Sequence, residues 1–125
     1  MARILIIDDD PDTRALLEDT LKSASHQTIT AADGKQGLEK YLASPADLVI
    51  TDMFMPDQDG FQTIVELRKQ FPAVSIIAMS GKASAMDILS IAQILGAAEV
   101  LQKPFTPAQL LSAADRVLRR ESTAG

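Results

Sequence analysis

The chain has 125 residues, of which 46% are hydrophobic and 23% are charged, and this is the composition of one globular domain. It contains no cysteine, which excludes a disulfide framework and a thiolate metal site, and its net charge of -5 argues against a nucleic-acid-binding surface. No apolar stretch reaches the ~20 residues that cross a bilayer, and the first apolar segment is too short for a secretory signal. We therefore expect a cytoplasmic protein without a membrane segment.

Strand-like and helix-like segments alternate from one end of the chain to the other. Five strands are predicted, at Arg3–Asp8, Gln27–Ala31, Leu48–Asp52, Val74–Met79 and Glu99–Gln102. The first, third and fourth are nearly unbroken apolar runs, which is typical of parallel strands that are covered on both faces.

Helices are predicted between and after these strands. They begin near Pro11, Gly34, Gly60, Ser84 and Thr106. In the first helix, Leu16, Leu17 and Leu21 are expected to share the buried face. The last helix opens with a capping box, in which Thr106 and Gln109 cap each other's backbone.

Five strand–helix units in sequence predict an α/β fold, with a parallel five-stranded sheet between two layers of helices. One domain is expected over residues 1–120. Residues 121–125 are small and polar, and we interpret them as a disordered tail or the beginning of a linker. Both a stand-alone protein and a domain of a longer chain are compatible with this organisation.

Polar side chains stand where the predicted strands end. Asp8 and Asp9 follow the first strand and Asp52 ends the third, while Ser80 follows the fourth and Lys103 the fifth. Because the carboxyl ends of parallel strands meet at one edge of the sheet, these groups are expected to converge. Carboxylates, a hydroxyl and a lysine together suit a divalent cation and a phosphoryl group.

Four motifs in this order resemble the receiver domain of two-component response regulators, the family of the chemotaxis response regulator. They are Asp8-Asp9-Asp10-Pro11, Asp52-x-x-Met55-Pro56-x-x-Asp59-Gly60, Ser80-Gly81 and Lys103-Pro104-Phe105. The resemblance covers essentially the whole chain. It implies a flavodoxin-like, doubly wound fold with strand order 2-1-3-4-5 and a cis Lys103–Pro104 peptide bond.

The resemblance also implies a role for each site residue. Asp52 is the predicted phosphoacceptor, because a carboxylate can attack phosphorus and form an acyl phosphate. Ser80 and Lys103 are expected to contact the phosphoryl oxygens. Mg²⁺ is the predicted cofactor, and its expected ligands are Asp8, Asp9, Asp52 and the backbone carbonyl of Phe54. We interpret Asp10 simply as the start of the first helix.

The predicted function is that of a phosphorylatable switch. A histidine kinase or a histidine phosphotransfer protein is expected to supply the phosphoryl group, and the protein, which catalyses only its own phosphorylation and dephosphorylation, is not expected to be an enzyme. The helix after Ser84 is more apolar than one buried face requires. Together with the fifth strand and the last helix, it is predicted to form a surface for partner docking or homodimerisation.

The chain departs from the family at two positions. Val100 stands three residues before the lysine, where receivers usually carry tyrosine or phenylalanine, so the family's ring-rotation readout is not expected to operate here. Phe54, two residues after Asp52, is predicted to hinder attacking water and so to slow loss of the phosphoryl group. The only histidine, His26, is interpreted as a surface residue without a role.

Two other functions share parts of this residue pattern. A small phosphatase of the haloacid-dehalogenase type also uses acids, a hydroxyl and a lysine at strand ends. However, it carries an Asp-x-Asp-x-Thr motif after its first strand, and the segment Asp8–Asp12 does not match this motif. A degenerate receiver that only binds partners is the second alternative: Val100 favours it, and the complete set of acids argues against it.

Overall fold

The computed structural model describes residues 2–53, 60–80 and 96–124. Over these ranges the elements, numbered here in chain order, are β1 (Arg3–Ile7), α1 (Pro11–Ser23), β2 (Gln27–Ala31), α2 (Gly34–Ala43), β3 (Leu48–Asp52), α3 (Gly60–Gln70), β4 (Ile76–Ser80), β5 (Glu99–Gln102) and α4 (Pro107–Ala124). The helix predicted after Ser84 lies outside the described residues. No helix in the described ranges is both long and apolar enough to cross a membrane.

The five strands form one parallel sheet in the order β2-β1-β3-β4-β5. The predicted fold class and strand order are therefore confirmed. β1 and β3 lie side by side at the centre, with Ile7 opposite Thr51. This register brings the residues that follow β1 next to the end of β3.

The hydrophobic core has two parts, one on each face of the sheet. Alternate residues of β1 enter different parts, because successive side chains of a strand point to opposite faces. Ile4 and Ile6 pack with α1 and α4. Leu5 and Ile7 pack with α2 and α3. The sheet is thus buried between two helical layers.

Side-chain caps stabilise the N-terminal ends of three helices, each of which follows a loop at the carboxyl edge of the sheet. Asp10 caps α1 and Asp33 caps α2, where it accepts a hydrogen bond from the Gln36 N–H at 2.8 Å. At α4 the predicted capping box is present. The Thr106 hydroxyl accepts from the Gln109 N–H at 3.1 Å, and the Gln109 side chain accepts from the Thr106 N–H at 2.8 Å.

Two strand boundaries differ from the prediction. β1 ends at Ile7 rather than at Asp8. β4 spans Ile76–Ser80 instead of Val74–Met79, because the Val74 N–H bonds to the Phe71 carbonyl in a turn. α4 is helical as far as Ala124, since no glycine or proline interrupts it before that residue. The end of the domain at residue 120 and a tail at 121–125 stay predictions.

The buried face of α1 also differs from the prediction. Leu17 and Leu21 are fully buried, whereas Leu16 is 59% exposed. Adjacent residues of a helix point about 100° apart, and with Leu17 directed into the core, Leu16 falls on the exposed side of α1. It lies instead on the surface near the sheet's carboxyl edge.

Gly96, before β5, occupies a position that only glycine suits. Its φ angle is +104°, in the region that other residues rarely adopt. A Cβ atom there would also lie 2.8 Å from the Nε atom of Arg68, whose guanidinium donates to the Val74 carbonyl.

Candidate functional site

The polar residues predicted at the strand ends do meet at the carboxyl edge of the sheet. Asp8 follows β1, Asp52 ends β3, Ser80 ends β4 and Lys103 follows β5. The backbone N–H of Lys103 donates to the Ser80 carbonyl at 2.7 Å, which fixes the two residues beside each other. The Lys103–Pro104 peptide bond is cis, as the resemblance implied.

Lys103 joins the two buried acids of the site. Its Nζ atom lies 2.9 Å from Oδ2 of Asp8 and 3.1 Å from Oδ2 of Asp52. Asp8 is completely buried and Asp52 is 7% exposed. Such charges are normally buried only when they are paired, and the lysine provides the pairing here.

The environment of Lys103 keeps its ammonium group charged. Burial acts to lower the pKa of Lys103, but the hydrogen bond to Asp8 and the charge of Asp52 outweigh it and raise the pKa above its ordinary value. At neutral pH the lysine therefore carries a positive charge between the two carboxylates.

Three acids form a cluster that could hold a metal ion. Carboxylate oxygens of Asp8, Asp9 and Asp52 all lie within 4.8 Å of one another. Asp9 is exposed, so a cation at this point would keep part of its water shell. Hard oxygen ligands together with retained water suit Mg²⁺, and the residues present fit that ion. Phe54, whose carbonyl was the fourth predicted ligand, lies outside the described residues.

Ser80 carries a buried hydroxyl group near the ends of β3 and β5. Its Oγ atom has no hydrogen-bond partner in the part of the chain that the structure describes, and the residue is fully buried. A hydroxyl in this state costs free energy, since most buried polar groups are paired. Its place at the end of β4, between the ends of β3 and β5, suits a contact to a bound oxygen.

Asp10 is a helix cap, as predicted. Its side chain accepts hydrogen bonds from the Asp12 N–H at 3.3 Å and from the Thr13 hydroxyl at 2.6 Å. The Thr13 hydrogen bond lowers the pKa of Asp10 below its ordinary value. The Asp10 carboxylate thus bonds to the start of α1 and does not belong to the cluster of Asp8, Asp9 and Asp52.

A partly apolar groove of about 450 Å³ adjoins the site. It lies between the start of α1 and the loop after β5. The residues that line it are Thr13, Leu16, Leu17, Lys103, Pro104 and Phe105. Lys103 belongs to both the groove and the acid cluster, so a molecule bound in the groove would approach Asp52.

Sequence reasoning missed Arg14 and misjudged His26. Arg14 donates from Nη1 to the Asp8 carbonyl at 2.7 Å. A cation in the first turn of a helix opposes the helix dipole, and this was the available signal. His26 is half-buried at the opposite edge of the sheet, where its Nδ1 atom accepts from the Ala2 N–H at 3.1 Å. It therefore has a structural contact.

Comparison with known proteins identifies the class. The family model of the response regulator receiver domain matches residues 4–115. The chain is 32% identical to the chemotaxis protein CheY4 of Vibrio cholerae, with a TM-score of 0.87 and coverage of 94% of this chain and 98% of that one. A receiver domain protein from Clostridium thermocellum is 29% identical, with a TM-score of 0.93 and full coverage of both chains. The chain belongs to the response regulator receiver domains of two-component signal transduction.

Curated relatives are longer proteins. The alkaline phosphatase synthesis transcriptional regulatory protein PhoP of Bacillus subtilis is 31% identical over 98% of this chain and 50% of its own length. The response regulator GtcR of Aneurinibacillus migulanus is 36% identical over 94% of this chain and 48% of its own length. The chain thus spans about half the length of these relatives.

Proposed function

We propose that the chain accepts a phosphoryl group onto Asp52, in a reaction that requires Mg²⁺, and that the donor is a phosphohistidine of a histidine kinase or phosphotransfer protein. One observation carries the proposal: carboxylate oxygens of Asp8, Asp9 and Asp52 lie within 4.8 Å of one another, and Lys103 contacts the Asp52 carboxylate. Membership in the receiver family supports it.

The proposed transfer balances without a further reactant. An oxygen of Asp52 attacks the phosphorus atom, the bond from phosphorus to the imidazole nitrogen breaks, and that nitrogen leaves with the electron pair and takes up a proton. The product is an acyl phosphate on Asp52. In the later hydrolysis, water attacks the phosphorus atom, the bond from phosphorus to the Asp52 oxygen breaks, and inorganic phosphate leaves. This step restores the free carboxylate, so the protein acts only on itself.

The remaining site residues neutralise and orient charge. Phosphoryl transfer depends mainly on positioning and on charge stabilisation. Mg²⁺, when bound, supplies positive charge to the phosphoryl oxygens and is held by Asp8, Asp9 and Asp52. Lys103 pairs with a phosphoryl oxygen, and the buried hydroxyl of Ser80, which has no partner within residues 2–53, 60–80 and 96–124, donates a hydrogen bond to another.

Replacing Asp9 tests the metal site. Asp9→Asn is expected to weaken Mg²⁺ binding about tenfold or more, because it removes a charged ligand. Isothermal titration of both proteins with Mg²⁺ measures the effect. Asp19→Asn, which changes an exposed acid of α1 outside the cluster, is the matched control and is expected to bind like the wild type. Equal affinities for Asp9→Asn and wild type would contradict the proposed ligand set.

The groove beside Lys103 is the proposed contact for the phosphodonor protein. A donor must bring its phosphohistidine to Asp52, and the groove shares Lys103 with the site while exposing Leu16. An apolar side chain next to the reacting groups suits an apolar partner surface.

Leu16→Gln is expected to slow transfer from a phosphorylated donor protein about tenfold, because it weakens an apolar contact in the complex. Phosphorylation by acetyl phosphate, which needs no such contact, is expected to be unchanged. Leu42→Gln, at a similarly exposed leucine of α2, is the control. Equal rates with the protein donor for wild type and Leu16→Gln would remove the groove from the proposal.

The output proposed for this reaction is a change in partner binding. The acyl phosphate shifts an equilibrium between two conformations of the receiver. Val100 is half-buried against the core that includes Ala78, and it has no ring to rotate. A homodimer through the segment after Ser84, β5 and α4 stays a prediction, as does a cytoplasmic location.

A further inference from the structure

Arg14 makes a contact within the acidic loop that the proposed reaction does not use. Arg14 is a half-buried residue in the first turn of α1, and its guanidinium donates from Nη1 to the backbone carbonyl of Asp8 at 2.7 Å. This carbonyl belongs to the peptide group that joins Asp8 to Asp9. An arginine hydrogen bond there fixes the plane of that peptide.

The other groups of Asp8 are held by different elements. Its N–H donates to the Ala31 carbonyl at 3.1 Å, and its Oδ1 atom accepts from the Asp10 N–H at 2.9 Å. Oδ2 accepts from Lys103. These contacts hold Asp8 and, through the Asp10 N–H, the peptide group that follows Asp9, whereas Arg14 holds the peptide group that precedes Asp9.

We propose that Arg14 is a positioning residue for the cation site: it holds the Asp8–Asp9 peptide so that the Asp9 carboxylate points toward Asp8 and Asp52. This inference rests on the proposed Mg²⁺ site. Asp9 is exposed, and its side chain can adopt many conformations in solution. Fixing the backbone from which it projects reduces the entropy that cation binding would otherwise cost.

The positive charge of Arg14 and its role in positioning Asp9 have opposite effects on Mg²⁺ affinity, so the two can be told apart by experiment. A guanidinium near the carboxylates repels a divalent cation, so charge alone predicts that removing Arg14 tightens Mg²⁺ binding. Positioning predicts that removing it weakens binding. Groups that orient metal ligands typically contribute about 10–100-fold in metal affinity.

The experiment compares Mg²⁺ affinity in Arg14→Met, Arg14→Lys and wild type by calorimetric titration. Arg14→Met is expected to bind about tenfold more weakly, although it removes a positive charge. Arg14→Lys keeps a donor that can reach the Asp8 carbonyl and is expected to recover most of the affinity. Lys22→Met makes the same charge change at the far end of α1, where the lysine is exposed, and is expected to bind like wild type.

Amide NMR provides a readout that does not require the metal. In metal-free Arg14→Met, the Asp9 and Asp10 amides are expected to become more mobile, and in Arg14→Lys they are expected to remain ordered. Unchanged or tighter Mg²⁺ binding by Arg14→Met would overturn the Arg14 proposal and leave the proposed function intact. Absence of Mg²⁺ binding by the wild type would overturn both.

Discussion

Replacing Lys103 with methionine is expected to slow phosphorylation of Asp52 by acetyl phosphate about 10²–10³-fold, the effect typical of removing one charge-stabilising donor. The same change is expected to tighten Mg²⁺ binding several-fold. The Lys103 ammonium lies within 3.1 Å of both Asp8 and Asp52, so it competes with a cation for the same carboxylates. The two effects have opposite signs because the lysine opposes the metal but stabilises the phosphoryl group.

Initial rates from intact mass spectrometry and Mg²⁺ titration measure these effects. Lys35→Met, at an exposed lysine of α2, provides the charge-matched control. An unchanged phosphorylation rate in Lys103→Met would remove the lysine from the mechanism. Weaker Mg²⁺ binding would show that it does not compete with the cation.

Lys103→Met is also expected to lower the free energy of unfolding by about 1–3 kcal/mol without Mg²⁺, because it leaves the buried Asp8 carboxylate unpaired. The pKa of Lys103 is raised in the folded protein, so this contribution is fully present below the unfolded value of about 10.4. It is lost only as the pH rises through the folded pKa. Urea unfolding of both proteins should therefore show a constant difference between about pH 6 and 9.

Ser80→Ala is expected to stabilise the protein by about 1 kcal/mol and to slow its phosphorylation about tenfold or more. The stability gain arises because the buried Oγ atom, which has no partner among the described residues, is removed. The rate loss arises because the same hydroxyl is the proposed donor to a phosphoryl oxygen. A residue that reduces stability but aids chemistry is typical of a functional site.

Urea denaturation and acetyl phosphate kinetics on the same samples test both parts. Ser23→Ala is the control, because the exposed Ser23 hydroxyl already donates to the Thr20 carbonyl at 2.6 Å and its removal offers no such gain. If Ser80→Ala lost stability, the hydroxyl would have a partner in solution. If it reacted as fast as wild type, Ser80 would have no part in the transfer.

The sheet and the convergence of the site could be predicted from the sequence because their causes are local. Apolar runs such as Leu48–Asp52 define strands that are buried on both faces, and their alternation with helices defines a parallel sheet. The carboxyl ends of such strands share one edge, which places Asp8, Asp52 and Lys103 together. The strand order itself came from the resemblance.

Other features depend on three-dimensional packing. The Val74 N–H donates to the Phe71 carbonyl in a turn, so β4 begins at Ile76 and extends to Ser80. Ser80 is therefore the last residue of the strand, and its hydroxyl is buried. The exposure of Leu16 reflects which side of α1 meets the sheet. The hydrogen bond from Arg14 to the Asp8 carbonyl involves a backbone atom, so the sequence signals an unusual cation in the first turn of α1 but not its partner.

The phosphoacceptor can be tested directly by intact mass after incubation with acetyl phosphate, with and without Mg²⁺, in wild type, Asp52→Asn and Asp10→Asn. Asparagine is as good a helix cap as aspartate, so Asp10→Asn keeps the fold and serves as the matched control. We expect one phosphoryl group on wild type and on Asp10→Asn with Mg²⁺. None is expected on Asp52→Asn, or on any of the proteins without the metal. Phosphorylation of Asp52→Asn to the wild-type extent, or no phosphorylation of the wild type, would contradict Asp52 as the phosphoacceptor.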